Sequence, residues 1–506
     1  MNNIFKEHHK KHLQELCKGL TLYKHLILSG YLPDSWVLPP IIKITTKPSG
    51  IGDYEERSPV TLFAPKAKLR WRQFSFLHPN NYQKVCQLLC APTFNTNLLA
   101  LSNSTKIFSY TIPQRYRTPK ENSEKQITRW VELQEDLLLC SGEYDYILIL
   151  DISNCYHVMY THAIEWAIKK VGSKKSGKNL DKAIRSGMDK RTHGIPVGSA
   201  PSHYIAEIVL SNVDRKIEKN SKVKDFIGGR YRDNYFLLCK SKAESELLLK
   251  EMIVILREHH MDFNSEKTKI VGFSDYFDSF WRIDFNTILA KLDIENITTI
   301  TKLPIRKIEA FIGLSLRLSQ EHRNDKAITD RLLDILEKIE PENDLYPKYF
   351  SLIQRIYNVR TQTLPKVFGL LNLLASKNYY CKKRFKSFLV SQLVSSYKSS
   401  NNFEMMWIIY FLTASNTKKT KEISRYIEKI KLLEDKFLNL VCVYYESSLS
   451  GTISSHGDLF ADLWQKNPNL SSIQANFAPL PEAGDITEIL KISFSTLGYG
   501  GGSGGY

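Results

Sequence analysis

Phe226-Ile227-Gly228-Gly229-Arg230-Tyr231-Arg232-Asp233-Asn234-Tyr235-Phe236-Leu237-Leu238-Cys239 sets a short polar centre between two apolar runs. The pattern predicts two β-strands joined by a tight turn that carries Arg232 and Asp233, with one carboxylate pushed out at the tip. Upstream, Tyr146-Ile147-Leu148-Ile149-Leu150-Asp151-Ile152-Ser153-Asn154-Cys155-Tyr156 reads as a buried strand running straight into a second Asp. Two carboxylates carried at strand ends are hard oxygen donors, the kind that clamp divalent cations. A single strand that ends in Asp is common and usually marks a turn or a cap. The fold therefore rests on what surrounds the two stretches.

The chain has 506 residues, which is too long for one core and implies two or three domains. Its 42% hydrophobic and 11% aromatic content belongs to a globular protein. The formal net charge of +17 suits a polyanionic partner, most often nucleic acid. The eight cysteines form no CxxC pair, so neither a zinc site nor a disulfide framework is indicated, and Cys86 and Cys90 sit in an apolar helical run. The N-terminus lacks an apolar signal core and no stretch reaches 18 apolar residues, so an intracellular, reduced protein with no membrane partner is expected.

Residues 1–30 alternate Lys and His with Leu at helical spacing, and a Pro- and Gly-rich connection runs from Pro33 to Gly52. Lys66-Ala67-Lys68-Leu69-Arg70-Trp71-Arg72-Gln73-Phe74 interleaves bases with aromatics, a pattern suited to phosphate contact and stacking but also to ordinary surface. After Asp151, Thr161 to Val171 reads as a helix capped by Thr161. A Gly-containing turn, Arg191 to Ser202, opens a helix through Ile205, Ile208, Val209 and Val213, with Pro201 in its first turn. Glu207 on that helix is expected to pair with a nearby base, and His193 to be structural. Ala243 to His259 is periodic, and a short strand pair is expected around Phe280 to Phe285.

Beyond residue 300 the stripes Ile328/Leu332/Ile335/Ile339, Leu352/Ile356/Val359, Val367/Leu370/Leu371/Leu374, Trp407/Phe411 and Ile423/Ile427/Ile430 suggest successive antiparallel helix pairs, as in α-solenoids, although no sequence repeat is visible. The Gly-rich end, residues 498–506, is flexible by composition. The domains expected are 1–65, an N-terminal helical extension; 66–300; 301–497, all helical; and 498–506, a flexible tail.

The order of motifs from Asp151 to Lys269 resembles the palm of reverse transcriptases, and more narrowly the bacterial "unknown group" and abortive-infection reverse transcriptases of antiphage defence. Asp151 followed by Tyr156 matches their first catalytic motif. Gly194-Ile195-Pro196-Val197-Gly198 matches the second, and Arg230-Tyr231-Arg232-Asp233-Asn234 stands where the family has Tyr-x-Asp-Asp. Lys267-Thr268 matches a following Lys-Thr, and Arg72-Gln73-Phe74-Ser75-Phe76-Leu77-His78-Pro79 looks like the entry to the fingers. The resemblance implies an α+β fold: a right-hand polymerase palm and fingers over 66–300, followed by an all-α helical-repeat domain in the thumb position.

It also implies roles. Asp151, Asp233 and Asn234, with the Ile152 carbonyl, would ligate two Mg²⁺ ions, with Mn²⁺ as the alternative. Tyr156 would gate the sugar 2′ position, Gly198 would let the template–nucleotide pair approach the backbone, and Tyr231, Arg232 and Arg72 would complete the dNTP site. Lys267 would act as general acid at the pyrophosphate or as its charge partner. Tyr499 and Tyr506 are candidate protein primers. The partners implied are dNTPs, a non-coding RNA, the DNA product, and a second copy or a second polymerase subunit, in a bacterial cytoplasm. Two departures stand out: Asn234 replaces the family's second Asp, and Val197 stands where templated enzymes carry Gln. They leave open a degenerate palm that serves as an RNA-binding or assembly subunit.

Overall fold

The computed structural model describes residues 3–486 except 17–18, 34–35, 47–54, 68–69, 114–118, 279–280, 296, 298, 323–325, 358–362, 454–458, 460–462, 464–472 and 484. Two helices, α1 (Asn3–Gln14) and α2 (Gly19–Ser29), precede strand β1 (Ile42–Thr46) and the antiparallel hairpin β2 (Val60–Ala67) and β3 (Arg70–Phe76). Then come α3 (Pro79–Leu89), α4 (Pro92–Leu101), β4 (Ile107–Ser109), α5 (Pro119–Cys140), β5 (Tyr146–Asp151), α6 (Cys155–Val158), α7 (His162–Lys169), α8 (Lys174–Ser186) and α9 (Ala200–Asn220). The pair β6 (Phe226–Tyr231) and β7 (Asn234–Cys239) is followed by α10 (Lys242–Glu258), β8 (Lys269–Gly272), α11 (Phe273–Asp278) and α12 (Trp281–Leu292).

The central sheet has the order β4-β6-β7-β5-β8, with β4 parallel to β6 and every other pair antiparallel. Both of its faces are covered. On β5, Leu148 and Leu150 enter one core with Ile208 of α9 and Met252 of α10. Ile147 and Ile149 enter a second core with Phe5 of α1 and with Leu133 and Leu137 of α5. Burial on both sides is why these strands read as continuous apolar runs instead of alternating ones. The strand ends that carry Asp151 and Asp233 meet at one edge of this layer.

The remaining elements are β9 (Thr301–Leu303), α13 (Ile305–Glu321), α14 (Lys326–Leu336), β10 (Ile339–Pro341), α15 (Tyr346–Tyr357), α16 (Leu364–Lys377), α17 (Tyr379–Lys398), α18 (Asn402–Ala414), α19 (Lys421–Lys431), α20 (Lys436–Ser450) and β11 (Ile473–Phe477). From α15 to α18 each helix packs on the next. All but the ends of α18 are buried, as its unbroken run Phe403-Glu404-Met405-Met406-Trp407-Ile408-Ile409-Tyr410-Phe411-Leu412 requires. This half then turns back. Phe437 of α20 meets Phe76 of β3 with ring centroids 4.5 Å apart, Phe403 lies 6.5 Å from Trp36, and β11 pairs antiparallel with β1.

Several local expectations are corrected. The boundary placed at residue 65 cuts through the β2–β3 hairpin. Of the stretch expected as a strand pair, residues 281–285 lie within helix α12, where Phe285 and Leu289 face the core and Trp281 packs edge-on against Phe285, and residue 280 is outside the described residues. The stripe ending at Ile339 breaks at Leu336, and Ile339–Pro341 pairs with β9 as a strand. Thr161 makes no capping hydrogen bond, because its backbone is already helical (φ −64°, ψ −32°). Tyr499 and Tyr506, the candidate primers, lie outside the described residues. The seven described cysteines are all free.

Candidate active site

The β6–β7 turn contains two residues, Arg232 and Asp233, closed by the Tyr231–Asn234 pair. Arg232 has φ +57°, left-handed backbone that a side chain normally avoids. Three contacts hold it there. Buried Arg230 donates from Nη1 to the Arg232 carbonyl at 3.1 Å, and the Arg232 amide donates to Thr111 Oγ1 at 3.1 Å. The Ile152 amide donates to the Asp233 carbonyl at 3.0 Å. That last bond ties the turn to the end of β5, where Asp151 lies opposite Asn234 in register.

Asp151 and Asp233 are thereby neighbours. Burial, and next the negative charge of Asp151, raise the Asp233 carboxyl above its ordinary pKa. Lys267, on the segment leading into β8, donates to Asp151 Oδ2 at 3.2 Å, and the Asn264 amide anchors the Asp151 carbonyl at 2.7 Å. Asn234 turns its amide nitrogen onto Asp233 Oδ1 at 3.1 Å. The amide nitrogen thus supports the carboxylate as a donor, while the amide oxygen remains the atom that the expected ligand role would use. Among the described residues no three His, Cys, Asp or Glu side chains gather at one point. Two mutually repelling carboxylates are nonetheless hard oxygen donors that fit a divalent cation completed by phosphate oxygens.

Cations surround the pair. Lys66, Arg72 and Lys267 share its electrostatic neighbourhood. Arg72 was expected here, whereas Lys66 stood out in the sequence only as part of a basic run. The register shift between Pro65 and Ala67 hides which face Lys66 takes. On the outer face of the same hairpin Phe63 and Trp71 are exposed.

The floor comes from α6 and the loop before α9. The Ile195 amide donates to the Tyr156 carbonyl at 2.8 Å, and Gly194 to the Met159 carbonyl at 2.9 Å. Tyr156 is half-buried, and its hydroxyl lies 2.9 Å from Nδ1 of His203 on α9. Burial and then the Arg232 charge hold His203 down to about 3, so the ring is neutral, although part of its surface stays exposed. No sequence signal singled out His203. Gly198 has φ +105°, and a Cβ there would meet Phe74 at 2.7 Å, so this glycine lets the loop pack on strand β3. Tyr231 does not join the group. It is 1% exposed and packs edge-on against Trp130, because it alternates to the opposite face of β6 from Arg230.

Beneath the turn, Arg230 is fully buried between two helix carboxylates. Nη2 and Nη1 grip Glu207 Oε1 and Oε2 at 2.9 and 3.2 Å, and Nε reaches Asp214 Oδ2 at 2.9 Å. Tyr235 donates to Asp214 Oδ1 at 2.8 Å. Burial works against the Glu207 charge, but the guanidinium outweighs it and holds Glu207 below the usual range. One guanidinium does not neutralise two carboxylates, and burial pushes Asp214 up to about 7. Glu207 thus has the basic partner expected of it. His193 bridges Tyr160 and packs against the Tyr160 and His260 rings.

The reverse transcriptase (RNA-dependent DNA polymerase) family matches residues 83–313, a span that holds every element of the central sheet. No curated protein sequence matches the chain. Among solved structures, apo telomerase from Candida tropicalis lacking its C-terminal domain is 15% identical, covers 45% of this chain and 52% of its own, and has a TM-score of 0.30. The chain thus spans about half the length of that relative. Candida albicans telomerase with a TWJ fragment of telomeric RNA is 13% identical over 72% of this chain and 68% of its own, with a TM-score of 0.30. Apo Candida tropicalis telomerase is 12% identical over 85% and 70%, with a TM-score of 0.31. Among the described residues, no helix is long and apolar enough to cross a membrane.

Proposed function

We propose that this chain, which carries a reverse transcriptase domain over residues 83–313, is a nucleotidyltransferase that adds deoxynucleotides to a primer on an RNA guide or without a template. The observation that carries this reading is the meeting of Asp151 and Asp233 at two strand ends, with Lys267 bonded to one of them. Asp151, Asp233 and the Ile152 carbonyl would hold the divalent ions, Mg²⁺ or Mn²⁺. Such ions, when bound, activate the primer hydroxyl and neutralise the leaving pyrophosphate.

The protein's own groups do the rest. Lys66 and Arg72 face the triphosphate from the hairpin, and Lys267 offers a proton or a charge to the pyrophosphate. Tyr156 sits under the sugar and crowds a 2′-hydroxyl. Arg232 reaches the nucleotide from the turn, and Gly198 keeps the loop low against Phe74. The chain from the β2–β3 hairpin to residue 300 would form the palm and fingers, and 301–497 a helical-repeat unit that holds RNA. Membership of the bacterial antiphage group, a bound non-coding RNA, a second copy or subunit, and priming on Tyr499 or Tyr506 rest on the motif resemblance.

The test is single labelled dNTPs offered to the wild type and to Asp233→Ala, with co-purifying RNA left in place and Mg²⁺ or Mn²⁺ supplied. Label incorporated only by the wild type supports the polymerase, and a protease-sensitive shift supports protein priming. The turn of Asn234 onto Asp233 favours one second reading, a palm that binds RNA without catalysis. No label from either protein, with equal RNA in both, would establish it.

A further inference from the structure

Tyr156 stands on a helix of four residues, α6, whose N-cap Asn154 is left-handed (φ 47°, ψ 37°). The backbone of this short helix is pinned by Ile195 and Gly194, and the ring packs in part against the main core, which limits the ring's base more than its tip. One contact restrains the far end of the ring: the hydroxyl, 2.9 Å from His203 Nδ1. The two rings meet edge to face, with centroids 5.8 Å apart and planes at 81°. His203 belongs to α9, a 21-residue helix packed against the sheet and therefore a rigid mount. Arg232, on the turn with Asp233, lies within electrostatic reach of both.

We propose that His203 is a positioning residue for sugar selection: it accepts the Tyr156 hydroxyl and holds the ring upright against the 2′ position of the incoming nucleotide. This rests on the polymerase reading above and deepens it. The physical point is stiffness. A ring that excludes one extra hydroxyl must not swing aside when that hydroxyl arrives. A short helix with a free side chain would yield, whereas a ring tied at its tip to a long helix resists. A neutral His203 suits this task, because a ring nitrogen without a proton can accept from a phenol, and the proton then sits on Nε2. An imidazolium could only donate.

The experiment measures kcat/KM for a dNTP and for the matching rNTP with wild type, His203→Leu, His203→Asn, Tyr156→Phe and the double variant His203→Leu/Tyr156→Phe. In His203→Leu the dNTP-to-rNTP ratio falls by about threefold to tenfold, the release expected from one ordinary hydrogen bond, chiefly through faster rNTP use. His203→Asn keeps a polar atom near the Nδ1 position and restores part of the ratio. Tyr156→Phe keeps the ring and loses the tie, so it matches His203→Leu, and the double variant falls no further than either single one.

A purely structural histidine would lower dNTP and rNTP use together and leave the ratio unmoved. That result, or additive losses in the double variant, overturns the proposal. A wild type that uses both sugars equally also overturns it, since no gate then exists to position. A wild type that incorporates no nucleotide at all refutes the polymerase reading itself, and the inference falls with it. Thermal midpoints of all variants, read alongside, separate unfolding from loss of selection.

Discussion

Replacing Arg230 with Met is the perturbation that most directly tests how the turn is built. Arg230 has 0% exposure and donates to Glu207, Asp214 and the Arg232 carbonyl. Methionine fills much of the volume and supplies none of these donors. Glu207 and Asp214, each 3% exposed, are then left without their cation in the interior. Removing one partner of a buried pair costs about 3–5 kcal/mol. For a unit of this size about 2–4 °C of thermal midpoint goes with each kcal/mol, so a fall of about 10 °C is expected near pH 8.

The loss is pH-dependent, with a defined sign. In the wild type Glu207 is held below its ordinary pKa. Its stabilisation is therefore present above the usual carboxylate range and disappears as pH falls through the depressed value. In the variant both carboxylates are buried without a cation, and their pKa values rise. The penalty then grows as pH rises through about 4 and upward, and it shrinks in acid, where both groups enter the core protonated. Differential scanning of both proteins at pH 5 and pH 8 reads this, and the gap between them should be clearly wider at pH 8. The triple variant Arg230→Met/Glu207→Gln/Asp214→Asn should recover much of the loss, since no uncompensated charge remains. Nucleotide addition per folded molecule should stay low in both, because the carbonyl of strained Arg232 has lost its anchor. A loss under about 1 kcal/mol at pH 8, or an equal loss at both pH values, would refute this account of the cluster.

Two other substitutions test features far apart in the fold. Burial pushes Glu404 on α18 up to about 7, and its Oε1 has no hydrogen-bond partner while Oε2 accepts from Asn401. A raised pKa means that the wild type loses stability as pH climbs from about 4 through 7, so Glu404→Gln should gain about 1–3 kcal/mol at pH 8 and nothing at pH 4 in denaturation midpoints. Gly198→Ala places a Cβ against Phe74 on backbone at φ +105° and should cost about 1–3 kcal/mol. Adding Phe74→Leu makes room but leaves the torsional strain, so calorimetry should show partial and not full recovery.

The strands that end in Asp151 and begin at Asn234 were legible because their signal is local: apolar runs bounded by a polar turn. Helices α9 and α10 were legible for the same reason, in their three- to four-residue spacing. Residues 280–285 misled because Trp281-Arg282-Ile283-Asp284-Phe285 also alternates apolar with polar, and only the burial of Phe285 and Leu289 shows which period prevailed. Tyr231 misled because its motif position suggested the site, while strand alternation, settled by the register with Asn234, sends its ring into the opposite core.

Sequence alone was enough to place the two carboxylates at strand ends and to supply the motif order behind the reverse transcriptase reading. The tertiary structure decided the partnerships. It set Asp151 beside Asp233, Lys267 on Asp151, His203 on Tyr156, Arg230 between Glu207 and Asp214, and β11 beside β1. The reason is one of range. Periodicity and turn chemistry act over a few residues and are written in the local order of side chains. Which buried donor meets which acceptor depends on how whole elements pack, and residues far apart in the chain enter that outcome together.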